Sequence, residues 1–244
     1  MEVDYALYTD KGKRDINEDG ADVICVGKSF CFVLADGLGG HGRGDEASAC
    51  AVQTAREVFS GSPADEAVIA CIFEKAQERL LELQKEKHCP ASMKTTLTVL
   101  TLTEDKLRWG HIGDSRIYRF RGRKLEERTR DHSVVQALAT LGEIREKDIR
   151  NHPDRNRLLR VLGQEWTGES YEISGEMDTG GDDSFILCSD GFWEYIDERK
   201  MQKLLKKTGT AGEWLEAMKQ IVFKNGKDKN MDNNTAITVR IRKN

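Results

Sequence analysis

The chain has 244 residues, 38% hydrophobic and 33% charged, which is enough apolar matter for an ordinary core under a well-solvated surface and excludes a disordered tail. A net charge of −4 lacks the basic footprint of a nucleic-acid binder. No apolar run approaches the roughly 20 residues that cross a bilayer, so neither nucleic acid nor membrane is an expected partner.

The N-terminal Met1-Glu2-Val3-Asp4 is acidic, without the basic-then-apolar pattern of a secretory signal. Six scattered cysteines contain no Cys-x-x-Cys pair and read as buried thiols in a reducing cytoplasm, not as zinc ligands or disulfides. Pro63, Pro90 and Pro153 are the only prolines, and no linker-like stretch divides the chain, so one domain over 1–244 is expected. Strands are predicted over 5–9, 22–26 and 30–35. The last reads Phe-Cys-Phe-Val-Leu-Ala, a run of the kind buried on both faces. Ala47, Cys50, Ala51, Thr54, Ala55 and Val58 then recur at helical spacing and predict a helix over about 45–59. Ser62-Pro63 has the form of a helix start and predicts a second helix reaching about 87. Stretches 95–103, 106–112, 116–120 and 124–127 read as strands joined by short turns, such as Arg121-Gly122-Arg123, in antiparallel hairpins. A charged helical stretch is expected over 132–160, a strand over 184–188, helices near 198–207 and 212–224, and an alternating last strand over 235–241. Blocks of strands separated by helix pairs point to an α+β layered domain.

Two predicted strands end alike, in Asp36-Gly37 and in Asp190-Gly191. Asp-Gly is a hairpin signal, but neither pair leads into a matching strand. A carboxylate placed where a buried strand ends needs a partner, and a divalent cation serves several such groups at once. Further acidic clusters stand at Asp15, Glu18 and Asp19 and at Asp232-Asn233-Asn234-Thr235. Singly each reads as a turn or cap; together they offer hard oxygen ligands suited to Mg²⁺ or Mn²⁺.

The ordered set Arg14…Glu18-Asp19, Asp36-Gly37-Leu38-Gly39-Gly40-His41, Gly113-Asp114-Ser115-Arg116, Asp131-His132-Ser133, Ser189-Asp190-Gly191 and Asp232-Asn233-Asn234-Thr235 resembles the PPM family, the protein phosphatase 2C-like enzymes. His152-Pro153-Asp154-Arg155-Asn156 with Leu162-Gly163 resembles its bacterial branch. The resemblance implies a four-layer α-β-β-α sandwich, two stacked antiparallel sheets flanked by helices. It also implies a serine/threonine protein phosphatase in which two Mn²⁺ or Mg²⁺ ions activate a water for attack on phosphoserine or phosphothreonine. Carried over residue by residue, Asp36 bridges the two metals and the Gly37 carbonyl completes one coordination sphere. Asp190 and Asp232 hold the first metal, and Glu18 and Asp19 act through or near metal-bound waters. Arg14 binds the substrate phosphate, and Asp114 with Asp190 forms a weaker third site. Asp36, Asp190 and Asp232 are thus the residues on which catalysis rests. Many eukaryotic members carry a histidine after the first Asp-Gly, as general acid; here the position is Leu38, which leaves a metal-bound water as the proton source. His41 reads as a loop-packing residue. The partners implied are phosphoproteins made by a serine/threonine kinase, met in the cytoplasm by a monomer.

Three other patterns carry rival readings. Gly37-Leu38-Gly39-Gly40-His41-Gly42 matches a dinucleotide fingerprint, but Asp36 would face the pyrophosphate and repeated βαβ units are missing. Ser115 lacks the following helix of a nucleophile elbow. The flap segment, about 134–156, reads both as a solvated helix face and, by resemblance, as a wall of the active site, with 140–142 as a hinge. Trp193, close to Asp190, is expected to support the metal site. A regulatory module that binds without catalysing is the rival class, disfavoured because Asp36, Asp190 and Asp232 are all present.

Overall fold

The structure, a computed structural model, describes residues 1–39, 42–63, 66–89, 92–179 and 182–242. In chain order the elements are β1 (Glu2–Asp10), β2 (Asp19–Val26), β3 (Ser29–Leu38), α1 (Gly44–Gly61), α2 (Val68–Glu86), β4 (Lys94–Thr95), β5 (Leu97–Leu102), β6 (Lys106–Ile112), β7 (Arg116–Arg121) and β8 (Lys124–Arg128). There follow α3 (Val134–Thr140), a 3-10 helix over Glu146–Asn151, β9 (Glu172–Ile173), β10 (Met177–Asp178), β11 (Asp183–Cys188), α4 (Asp190–Trp193), α5 (Glu198–Leu205), α6 (Ala211–Gly226) and β12 (Asn234–Arg242). The strands make two antiparallel sheets. One runs β1-β12-β11-β7-β8; the other runs β10-β6-β5-β3-β2, with β4 on β3 and β9 on β6.

Strand alternation explains the layers. On β3, Phe32 and Leu34 pack between the sheets with Phe185, Leu187, Ile237 and Val239. Cys31, Val33 and Ala35 face the other way, onto Ala47, Ala51 and Ala55 of α1 and Ile72 and Phe73 of α2. On β11, Ile186 and Cys188 turn outward to Trp193, Trp214 and Met218 of the helices on that side. The result is the four-layer α-β-β-α sandwich, with β3 and β11 buried on both faces. Each fully buried Phe or Leu contributes about 1.5–3 kcal/mol by leaving water.

Two predicted boundaries move. Ser62 does not open a helix: its N–H donates to the Val58 carbonyl (3.2 Å), closing α1, and α2 starts only at Val68. The continuous helix expected over 132–160 breaks into pieces. Ser133 caps α3 through the Gln136 N–H (3.3 Å), and Gly142 follows its end at φ +79°. Pro153 forces the residue before it into extended backbone, His152 at ψ 139°, so the 3-10 helix stops there. Charges in this segment pair locally, as Arg145 Nε does with Asp148 (2.7 Å).

Candidate active site

Antiparallel register gathers the acidic residues at one end of the sandwich. β2 begins where β3 ends, pairing Asp19 with Asp36. β12 begins where β11 ends, pairing Cys188 with Ala236, and Arg116 at the start of β7 also pairs with Cys188. The β6–β7 turn carrying Asp114 and the first residue of α4, Asp190, therefore lie at the same edge. Arg14, Glu18, Asp36, Gly37, Asp114, Asp190 and Asp232 all line one cleft of about 900 Å³. Asp19 is not on its wall; it sits beside Asp36 in the β2–β3 pair.

The backbone that presents these side chains is held firmly. The Asp36 N–H donates to Thr96 Oγ1, and its carbonyl accepts from Thr95 Oγ1 and the Thr96 N–H, each at 2.9 Å. Asn233 rivets the loop before β2 to the start of β12: its Oδ1 accepts the Glu18 N–H (2.8 Å), and its Nδ2 donates to the Lys11 and Ile16 carbonyls (both 2.9 Å). Ser189 Oγ donates to Asp19 Oδ2 (2.8 Å) and accepts the Thr235 N–H (3.0 Å). Trp193 Nε1 donates to the Asp114 carbonyl (3.0 Å). The Trp193 ring lies 3.5 Å from the guanidinium of buried Arg116, which grips Asp131 at 2.8 and 2.7 Å. Gly39 leaves room for the Glu18 carboxylate: a Cβ there would stand 1.8 Å from Glu18 Oε2 and displace it. Glu18 Oε1 in turn accepts the Gly44 N–H (3.1 Å).

These carboxyls resist ionisation. Burial, then the charges of Asp19, Asp190, Asp114 and Asp232, push Asp36 well above the usual carboxylate range. Burial, then Asp114, Glu194 and Asp232, does the same to Asp190. Asp114 is pushed up to about 7 by burial and Asp131, against the pull of Arg116. Burial also takes Asp19 to about 7, although Thr235 and Ser189 favour its charged form. Burial raises Glu18 as well. Asp19 Oδ1 is buried without a hydrogen-bond partner, an exposed cost in any apolar setting. A cluster of hard oxygen donors that repel one another, one of them orphaned, is the donor set a divalent cation fits.

Arg14 does not stand free. Its Nε and Nη2 clasp Asp232 at 2.8 and 2.7 Å, so the residue expected at phosphate and a residue expected at metal are partners here. Ser115 is buried and bonded to Thr96 Oγ1 (2.8 Å), away from any nucleophilic role. His41 lies outside the described residues. Sequence reasoning missed Lys94 and Arg43, which also line the cleft; a lone basic residue before a β-branched run carries no signal of its own.

A family model described as protein phosphatase 2C matches residues 12–228. The serine/threonine phosphatase Stp of Listeria monocytogenes serotype 4b (strain F2365) is 33% identical over 213 residues, 84% of each chain. The solved structure of serine/threonine phosphatase Stp1 from Staphylococcus aureus matches with a TM-score of 0.89 at 26% identity, covering 100% of this chain and 96% of the other. The catalytic domain of the serine threonine protein phosphatase PstP, solved in complex with 2 manganese ions, shares the fold at a TM-score of 0.82 and 24% identity, covering 99% of each chain.

Proposed function

The chain belongs to the protein phosphatase 2C family and is a serine/threonine phosphatase, and we propose that the acidic cleft is its hydrolytic centre, working with two Mn²⁺ or Mg²⁺ ions. The observation that carries this reading is the crowding of Asp19, Asp36, Asp114 and Asp190, whose ionisation is opposed by burial and by each other. On this reading Asp36, the Gly37 carbonyl, Asp190 and Asp232 would hold the two ions, and Glu18 and Asp19 would act at one remove. Asp114 and Asp190 serve a weaker third ion.

When bound, the cations supply positive charge that lowers the pKa of a water and screens the phosphate dianion. The chain's own groups do the rest. Ser189 and the Thr235 N–H fix the Asp19 carboxylate through one short relay. Carboxylates at the cleft accept the water's proton. Arg14 offers a planar fork that matches two phosphate oxygens. For that it releases Asp232, an exchange in which each charged group keeps an opposite partner.

Substrates are phosphoserine and phosphothreonine on proteins modified by a kinase, met in the cytoplasm by a monomer acting as one domain over 1–244. The segment 134–156 would then flank the cleft as a flap. Among the described residues no helix is long and apolar enough to cross a membrane. The test is hydrolysis of phosphothreonine peptides: turnover requires added Mn²⁺ or Mg²⁺, stops with EDTA and is lost in Asp36→Asn and Asp190→Asn. Metal-independent turnover, or full activity in either variant, refutes the reading.

A further inference from the structure

Three basic residues line the cleft: Arg14, Arg43 and Lys94. Arg14 is held by Asp232 (2.7 Å), and Arg43 stands 3.7 Å from Glu46. Lys94 makes no ion pair among the described residues. We propose that Lys94 is a substrate-binding residue of this phosphatase, its ammonium taking an oxygen of the phosphomonoester in the cleft; the inference rests on the hydrolytic reading given above.

The mounting of Lys94 argues against a merely solvated charge. β4 pairs with the end of β3, setting Lys94 opposite Leu38 and Thr95 opposite Gly37, directly after Asp36. Thr95 Oγ1 and the Thr96 N–H both donate to the Asp36 carbonyl, so β4 and the acidic strand end move together. The preceding residue, Met93, is fully buried and sits at φ +59°, a conformation that non-glycine side chains adopt only where the surroundings impose it. Gln84 Nε2 supplies part of that constraint, donating to the Ser92 carbonyl at 2.8 Å and the Met93 carbonyl at 3.3 Å. Along β4 itself the two side chains alternate: Thr95 is fully buried and Lys94 lines the cleft. Lys94 is only half-buried, so its head reaches solvent and an incoming ligand.

Charge decides what that ligand is. The same wall carries Glu18, Asp36, Asp114, Asp190 and Asp232, so a phosphate dianion entering the cleft is favoured by each positive group beside them. Of the three basic side chains on that wall, Lys94 is the one with no carboxylate partner among the described residues, so it is the protein group available to receive the phosphate first. Arg14 becomes available only when its clasp on Asp232 opens.

Lys94→Gln keeps the stem and removes the charge, and Lys94→Arg keeps the charge. With Mn²⁺ and a phosphothreonine peptide, Lys94→Gln should raise KM and the inhibition constant of inorganic phosphate about tenfold, the scale of one charge-assisted hydrogen bond, with kcat within about threefold of wild type. Its melting temperature and the rise in that temperature on adding Mn²⁺ should match wild type, and Lys94→Arg should recover most of the loss. Wild-type KM and phosphate inhibition in Lys94→Gln, alongside an inactive Asp190→Asn, overturns the role of Lys94 alone. So does an arginine variant no better than the glutamine one. A wild-type protein without metal-dependent turnover overturns the hydrolytic reading and this proposal with it.

Discussion

Asp114→Asn should make the metal-free protein more stable, and the gain should depend on pH. Asp114 sits on the β6–β7 turn, 5% exposed, with its pKa pushed from 3.8 to about 7 by burial and by Asp131. At about 1.4 kcal/mol per pKa unit, that rise corresponds to roughly 4 kcal/mol of stability withheld once the group is ionised. The sign follows from the raised folded-state value. The unfolded chain gives up the proton near 3.8 and the folded chain near 7, so wild type loses stability as pH climbs through that window and levels off above it. Asparagine has no proton to lose there. In EDTA at pH 8 the variant should therefore be more stable by up to about 4 kcal/mol, on the order of 10 °C for a domain of this size. By pH 5 the gap should fall to less than half, because folded wild type is still largely protonated. Saturating Mn²⁺ should narrow the gap at pH 8, since a bound cation relieves the same repulsion. Urea titrations at pH 5 and pH 8, with and without EDTA, measure all four values. A variant no more stable than wild type at pH 8, or a gap that ignores pH, would refute the repulsive cluster.

Two further substitutions separate scaffold from site. Gly39→Ala should leave the melting temperature nearly unchanged yet weaken Mn²⁺ binding by calorimetry about tenfold or more, because the new Cβ meets only the mobile end of Glu18 and drives its carboxylate away. An unaltered Mn²⁺ isotherm would show that Glu18 has no part in the site. Asp131→Ala should do the opposite, costing roughly 3–5 kcal/mol in urea unfolding by stranding the buried Arg116 guanidinium; a loss under about 1 kcal/mol would mean water reaches Arg116.

What the sequence made legible was the part governed by local pattern. The run ending at Asp36 could be read as a doubly buried strand because all six of its residues are apolar, and β3 covers it. The helices expected near 198–207 and 212–224 appear as α5 and α6, where Asp197 and Thr210 cap their first turns through the Lys200 and Glu213 N–H groups. The charged segment 132–160 misled because a run of charged residues reads equally as a solvated helix face and as a string of local ion pairs, and Gly142 and Pro153 decide the matter through the backbone. The Arg14–Asp232 clasp spans 218 positions, and no local signal reports it. The run expected over 95–103 takes in only Thr95 of the two-residue strand β4 and stops short of Lys94, which hides the placement of Lys94 against Leu38.

Two arginine–aspartate pairs of the same forked geometry show how rigidity and exchange are divided at this end of the sandwich. Arg116 and Asp131 are 3% and 2% exposed, and their separation would leave each charge shut off from water with only longer or weaker contacts, such as Glu198 at 3.9 Å from Arg116 and Arg128 at 3.7 Å from Asp131. That pair, with Trp193 stacked on it and donating to the Asp114 carbonyl, fixes the turn that presents Asp114. Arg14 and Asp232 are 47% and 37% exposed. An ion pair so open to solvent is worth about 0–1 kcal/mol, so it yields readily to stronger partners. A divalent cation drawn to Asp232 would leave Arg14 without its carboxylate and so turn the guanidinium toward phosphate. On that account metal and substrate help each other bind through a single exchange of ion pairs, while the buried pair behind them stays fixed.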